Sequence, residues 1–494
     1  MRRYVLGLDQ STQGTKAMLF DEGGAMLGRF DKPHAQMIND KGWVEHDPEE
    51  IYQNTLAAVK GLVERLGADK NGIAAVGISN QRETALAWDK TTGKPVYNAI
   101  VWQCARGAEI CGGLEQKGHA AAIRCATGLR LSPYFSAAKI AWILQNVKQT
   151  REMADGGRLC AGTVDSWLVY RLTRGKEFRT DYSNASRTQL FNIKTLEWDE
   201  TVCAMFGIKP SILPELTDSD GYFGETDFDG YFAKPIPIHA VVGDSHGALF
   251  GQACLSRGMI KATYGTGSSV MMNIGPELIL SDKVVTSVAW RMRGAVNYVL
   301  EGNINYAGAV ITWLKELGLL SSPKEAEQLS RLASPGDTTY LVPAFSGLGA
   351  PHWNSKAAAT IVGMTRTTGK AELVKAGNES IAYQITEVLD AMRIESGIDI
   401  KELRVDGGPT RDAYLMQFQS DIAGVAVSIP SEEELSGIGA AYAAGISTGI
   451  YDRAAVFANI GRRGFYPGMD QAVRDKKYSG WKKAVDLVLK QAES

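Results

Sequence analysis

Long apolar runs are missing: nowhere do the 494 residues string together the roughly 20 apolar side chains that a bilayer-spanning helix needs. The opening "MRRYVLGLD" also lacks the longer apolar core and small-residue cleavage site of a secretion signal. Both absences lead us to expect a cytoplasmic protein. Cysteine and histidine are sparse, with six of each. The cysteines run from Cys104 through Cys111, Cys125, Cys160 and Cys203 to Cys254, with no CxxC pair, and the histidines show neither HxH nor HExxH spacing. Reduced thiols are expected, and a zinc site is not. An excess of one charge is lacking too: 53 Lys and Arg face 55 Asp and Glu, a formal net charge of −2. Nucleic acid or an anionic membrane would favour a basic surface, so a small molecule is the expected partner.

What is present is length enough for two domains, each with its own core. In the first third, β-type runs ("YVLGLD", "AMLFD", "IAAVGISN", "TALAWD") alternate with helical stretches at Pro48 to Leu66 and Ala137 to Val147. That alternation predicts α/β layers around a mixed sheet. "GTVDSWLVYRLTRG" reads as helix, "DYSNASRTQLFN" as a polar segment, and Ser211 to Pro237 as a long Pro-, Asp- and Gly-rich connection with short strands. The opening pattern then returns. "HAVVGDSHGALFG" gives strand, acid and helix, and "MIKATYGTGSSVMMNIG" gives strand, Gly-Thr-Gly turn and strand. A duplicated core follows, two α/β halves facing each other across a cleft, with a boundary near Gly251: residues 1–250 and 251–494. Further helices are expected at "AGAVITWLKEL", "KAELVKAGNESIAYQITEVLDAMR" and "SGIGAAYAAGISTG", and a strand at "ELRVDGG".

Three Gly/Thr-rich turns each follow a strand-like run: Ser11 to Lys16, Tyr264 to Ser269 and Val405 to Thr410. None matches a P-loop or a dinucleotide-binding fingerprint. Each alone reads as an ordinary connection, the first as a hairpin in which Gly14 is free to take positive φ. Together, their backbone N–H groups and hydroxyls, with the charge of Lys16, fit the phosphates of a nucleotide in the cleft. In "NQRET" the adjacent Arg82 and Glu83 read either as an exposed charged turn or as a donor and acceptor turned to polyol hydroxyls. Trp102 in "VWQCARG" is a core residue or an apolar wall for carbon atoms. Asp244, at a strand end before a helix, either caps that helix or takes the proton of an attacking hydroxyl. Asp9, at the matching place in the first half, suits a hydrated magnesium ion.

These residues resemble the FGGY family of carbohydrate kinases, which includes glycerol kinases, xylulokinases, ribulokinases and gluconokinases. The resemblance spans the chain, from "LDQSTQGTKA" through "GWVEHDP", "ISNQRETALAW", "PYFSAAKIAWIL", "GTVDSWL", "GDSHGALFGQ", "TYGTGSS", "PAFSGLGAPHW" and "RVDGG" to "GWKKAV", and looks closest to the glycerol kinases. The segment Tyr134 to Asn146 fits the family's first signature. Around Ala359 to Glu379 the second is imperfect, with Gly377 and Asn378 where an aliphatic pair is usual. The resemblance implies an actin-like ATPase architecture of two RNase H-like domains, the first carrying most of the substrate site and the second most of the adenine-nucleotide site. ATP and Mg2+ would lie between them.

Carried over position by position, Arg82, Glu83, Trp102, Tyr134 and Asp244 would bind the polyol, with Asp244 as general base. Thr12, Gln13, Gly14 and Lys16 would meet the terminal phosphates. Gly265, Thr266 and Gly308 would take the remaining phosphates, and Gly407 and Gly408 the adenosine, with Thr312 and Asp412 beside it. A homodimer or homotetramer is what the family implies. Ser245 and Ser269 stand where the glycerol kinases would carry a glutamine and a phenylalanine, and Thr312 and Asp412 where a glutamine and an asparagine are expected. The first pair predicts a roomier, more polar pocket suited to a four- or five-carbon polyol or a ketose such as xylulose, as an alternative to glycerol. A third reading is a non-catalytic actin-like nucleotide sensor or filament protein, against which Asp244 and the intact "NQRET" speak.

Overall fold

In the computed structural model, which describes residues 3–493, two sheets dominate. The first runs, edge to edge, through Glu225–Thr226, Ile236–Gly243, Ile73–Asn80, Tyr4–Gln10, Gly14–Phe20 and Met26–Pro33. The second runs through Val285–Met292, Ala295–Ile304, Ser268–Gly275, Ile260–Tyr264, Glu402–Asp406, Ala426–Pro430 and Arg462–Phe465. Each half begins with an antiparallel hairpin, Tyr4–Gln10 with Gly14–Phe20 and Ile260–Tyr264 with Ser268–Gly275. In each, the hairpin's first strand then pairs in parallel with a later strand, Ile73–Asn80 or Glu402–Asp406, which takes a further parallel neighbour. The recurrence read from the sequence is therefore a recurrence of topology: two RNase H-like units of the actin-like ATPase type.

Local chemistry fixes the elements. The helix Pro48–Leu66 starts where Asp47 accepts the Glu49 N–H at 2.8 Å and proline occupies the first turn, and it stops at Gly67 in the left-handed conformation. Its buried Ile51, Tyr52, Thr55, Val59, Leu62 and Val63 recur at helical spacing and pack against the first sheet. Strand Tyr4–Gln10 is buried along its whole length, as a central strand covered on both faces must be. A third sheet, of five strands including Ala85–Asp89 and Leu159–Thr163, builds a lobe beside the first.

One place where the halves interlock is a crossing of two helices. Helix Asp244–Gly251 follows the strand Ile236–Gly243 of the first sheet, and helix Leu435–Ser447 comes after strand Ala426–Pro430 of the second. The latter packs on the first half's strands Ile73–Asn80 and Tyr4–Gln10 and on helix Asp244–Gly251. A Cβ at Gly439 would collide with the Gly247 carbonyl, so only glycine permits this approach. The six cysteines are free thiols, and only Cys125 is exposed. No helix among the described residues is long and apolar enough to cross a membrane.

Candidate active site

The turn between strands Ile73–Asn80 and Ala85–Asp89 carries Arg82 and Glu83, and Glu83 has φ +59°, which turns its side chain out of the strand alternation. Neither residue is an exposed turn charge: Arg82 is 5% and Glu83 2% exposed. Arg82 donates from Nη1 and Nη2 to the two carboxylate oxygens of Glu301, each at 2.9 Å. Arg187 donates from Nε to Glu83 at 2.6 Å and places Nη1 2.9 Å from Glu301 Oε2. Arg82 Nε lies 3.2 Å from Asp244 Oδ1. A ladder of alternating charge thus runs Glu83, Arg187, Glu301, Arg82, Asp244, and only its last member reaches solvent, with a third of its side chain exposed.

Burial alone would raise the Glu301 carboxyl, but Arg187 and Arg82 hold it well below the ordinary carboxylate range. His246, fully buried beside them, is driven by burial and by Arg82 well below the ordinary imidazole value and is neutral. Asp244 opens its helix while Gly243 occupies the capping position, and its Oδ1 accepts only the N–H of Ser245, at 2.6 Å. Its other oxygen has no partner of that kind. The capping role is therefore slight, and the carboxylate is left partly open to solvent.

Around this ladder the structure gathers Trp102, Tyr134 and Ser269. Trp102 donates from its indole N–H to Thr12 Oγ1 at 3.0 Å, and its ring meets Tyr134 edge to face at 5.5 Å. That bond ties the Trp102 ring to the turn of the first hairpin. Lys139 of helix Ser136–Asn146, buried without a carboxylate at contact distance, donates to the carbonyls of Pro133, Tyr134 and Phe135 and pins the loop that presents Tyr134. Burial brings its ammonium down to about 7. Ser269 donates to Glu301 Oε1 at 3.0 Å, so its hydroxyl is a fixed part of the wall and not a loose polar group.

On the other side, the turn Ser11 to Gln13 joins the first hairpin, with the Ser11 N–H and hydroxyl both donating to the Gly14 carbonyl. Gly14 does not take positive φ. Glycine is needed there because a Cβ would press on the backbone of Lys32 and Pro33 in the neighbouring strand. Gln13 is exposed. Lys16 bridges Glu434 Oε2 at 2.5 Å and Asp9 Oδ2 at 3.8 Å. Asp9 accepts the Ser79 hydroxyl at 3.0 Å, and burial, against the pull of Lys16 and with Asp244 nearby, raises its carboxyl to about 6.

The start of helix Gly308–Glu316 docks on the second hairpin turn: the Gly308 N–H donates to Gly265 and those of Ala307 and Ala309 to Thr266. Thr312 sits one turn further along and is exposed. Gly407 has φ +100° and lies against the Tyr264 backbone. Asp412 is less free than a nucleotide contact requires, since it caps helix Ala413–Ala423 through the Leu415 N–H and takes the Asn378 amide at 2.8 Å. A cavity of about 760 Å³ is lined by Asp9, Lys16, Gly407, Gly408 and Glu434 among others, while Thr12 to Gly14, Gly265, Thr266, Gly308, Thr312 and Asp412 stand outside it, as do Asp244 and the residues around the ladder.

Glu301 and Arg187 carry the geometry and were not singled out from the sequence. A weak signal for each exists: an acid within the apolar run "VNYVLEGNI", and an arginine within "DYSNASRTQLFN". The latter segment is polar yet buried throughout, from Asp181 through Ser183, Asn184 and Ser186 to Arg187, because it lies under the ladder and its hydroxyls and amides satisfy one another.

Residues 4–251 match the N-terminal domain, and residues 260–448 the C-terminal domain, of the FGGY family of carbohydrate kinases. The chain is 48% identical to a glycerol kinase of Carboxydothermus hydrogenoformans, covering 98% of each sequence. It is also 48% identical to glycerol kinase 1 of Thermotoga maritima, over 98% of this chain and 99% of that one. A crystal structure of Plasmodium falciparum glycerol kinase with ADP superposes with a TM-score of 0.94 at 36% identity, covering 99% of this chain and 98% of that one. A gluconate kinase from Lactobacillus acidophilus, 19% identical with a TM-score of 0.88 over 100% of this chain and 99% of its own, shares the fold.

Proposed function

The chain belongs to the FGGY family of carbohydrate kinases, a phosphotransferase with an alcohol group as acceptor, and from that premise we propose that it moves the terminal phosphoryl group of ATP to a primary hydroxyl of glycerol. The observation that carries this reading is Asp244, the one exposed carboxylate of an otherwise closed charge ladder, with Asp9 and the phosphate turn beside it. Asp244 takes the proton of the attacking hydroxyl as its oxygen forms a bond to the terminal phosphorus, and the bond from that phosphorus to the ADP oxygen breaks. Such assistance contributes about two to four powers of ten in rate. Arg82, Glu83 and Tyr134 orient the hydroxyls, and the indole of Trp102 backs the carbon chain.

The N–H groups at Thr12 to Gly14 and at Thr266 and the ammonium of Lys16 would face the phosphates, with Gly265, whose own N–H is held by Gly267, shaping the turn, and Gly308, Gly407 and Gly408 toward the nucleoside. Positioning and electrostatics supply most of the catalysis in phosphoryl transfer. A magnesium ion held there would supply charge neutralisation for the phosphates. Asp9 fits a water-mediated hold on such an ion, being a buried carboxylate whose charge the surroundings disfavour until a cation arrives. Two relatives named as glycerol kinases at 48% identity support glycerol over a longer acceptor. The short side chains of Ser245 and Ser269 favour the second reading, a four- or five-carbon polyol or ketose.

Substrate-dependent ADP release from Mg-ATP over glycerol, erythritol, ribitol, xylitol, D- and L-xylulose, ribulose and gluconate tests both. The highest kcat/KM is expected for glycerol. A five-carbon substrate leading the series would replace that reading with the second.

A further inference from the structure

The acceptor wall depends on a residue from the other half of the chain. Glu301, in strand Ala295–Ile304, is fully buried, and its two oxygens are shared out: Oε1 accepts from Arg82 Nη2 at 2.9 Å and from the Ser269 hydroxyl at 3.0 Å, and Oε2 accepts from Arg82 Nη1 at 2.9 Å. We propose that Glu301 is the positioning residue for the phosphoryl acceptor, holding Arg82 and Ser269 as one hydroxyl-recognising surface, and that Ser269 selects a substrate hydroxyl over a carbonyl. The inference rests on the polyol-kinase reading above.

An ionised carboxylate only accepts hydrogen bonds, and serine has a single O–H to give. The Ser269 hydrogen is committed to Glu301, so its oxygen offers lone pairs alone. A hydroxyl on the substrate donates to it. A ketone oxygen has nothing to donate and sets lone pair against lone pair. Because Ser269 and Arg82 share the same carboxylate oxygen, and Arg82 Nε stands 3.2 Å from Asp244, the three residues form one continuous wall.

The charges require Glu301 as well. Within the buried set, Arg82 and Arg187 balance Glu83 and Glu301, which leaves Asp244 as the one uncompensated charge at the open end. Without the Glu301 charge, Arg82 loses its bidentate anchor and the pairing it already makes with Asp244 tightens, which blunts the base.

Steady-state kinetics with glycerol and with dihydroxyacetone, which differ only in a hydroxyl against a carbonyl at the middle carbon, test this in the wild type, Ser269→Ala, Glu301→Gln and Glu301→Asp. We expect the wild type to prefer glycerol, and Ser269→Ala to cut that preference by about tenfold, the upper end of the net worth of one neutral hydrogen bond. Glu301→Gln should raise KM for glycerol by about tenfold and lower kcat while KM for ATP stays within about twofold, and Glu301→Asp, keeping the charge, should recover part of the loss. If Glu301→Gln does not fold, Ser269→Ala and Glu301→Asp still decide. An unchanged preference in Ser269→Ala, or Glu301 variants that alter only the melting temperature, overturns the proposal. If the wild type works on another alditol and not on glycerol, the glycerol reading falls, and the same variants are compared on that alditol and its 2-keto counterpart. A wild type inert on every alditol overturns the polyol-kinase reading and this inference with it.

Discussion

On the wall proposed for the acceptor four charged side chains, Arg82, Glu83, Arg187 and Glu301, are almost wholly buried and pair with one another, whereas in the turns proposed for the nucleotide Gly265, Thr266, Gly407 and Gly408 stand exposed and bring no charged side chain of their own. The difference follows from what each wall can tolerate before its ligand arrives. An unpaired buried charge costs several kcal/mol, so side chains that must be fixed in advance are fixed by counter-charges. A glycine turn holds itself by backbone hydrogen bonds, as the Gly265 N–H to Gly267 and the Thr410 N–H to Gly407 do, and needs no counter-charge before phosphate arrives. The acceptor wall is thus preorganised by side chains drawn from both halves of the chain, and the nucleotide wall by backbone conformation.

Breaking the acceptor wall at its reactive end has the largest expected effect. Asp244→Asn should lower kcat about a hundred- to ten-thousandfold while ADP binding, followed by calorimetry, stays close to wild type. Full turnover in that variant would remove Asp244 as the base. Next comes the middle of the ladder. Arg187→Met leaves Glu83 and Glu301 short of a partner and should cost about 3–5 kcal/mol in urea unfolding. A loss below about 1 kcal/mol would mean that the ladder is not a coupled unit.

Asp9 stands where the two walls meet, and its pH dependence separates them. Its carboxyl is raised to about 6 in the folded chain, so between about 4 and 6 the folded state binds the extra proton. This group's contribution to stability is therefore present below that window and lost as pH rises through about 6. Asp9→Asn should make the ligand-free protein about 1–3 kcal/mol more stable at pH 7, with little change at pH 4. Equal effects at both values would mean that Asp9 is not held out of its charged form.

The smallest effects belong to the backbone of the nucleotide wall, where two adjacent glycines should differ. Gly407→Ala meets positive φ and the Tyr264 backbone and should cost about 1–3 kcal/mol and raise KM for ATP. Gly408→Ala meets no atom within 4 Å and should stay within about 0.5 kcal/mol of wild type. Equal losses would show that conformation at Gly407 is not what shapes this wall.

The sequence by itself determined the elements and their repetition. Helix Pro48–Leu66 was legible to its ends because cap, first-turn proline and apolar spacing are all local. The paired hairpins were legible because a buried strand, a glycine turn and a second strand leave a short-range pattern. Asp244 and Arg82 could be named as candidates from their places at strand ends. Only the tertiary structure decided what those candidates do to one another. Glu301 lies 219 positions from Arg82, and Arg187 lies 104 from Glu83, distances at which spacing carries no information. Turn chemistry leaves Gly14 free to take positive φ, yet what demands glycine there is a neighbouring strand, whose approach no local rule registers. Local propensity is written within a few residues of chain, but a buried charge must find its counter-charge wherever the fold brings one. The pairing that readies this site is for that reason a property of two halves packed together, and not of either stretch that supplies it.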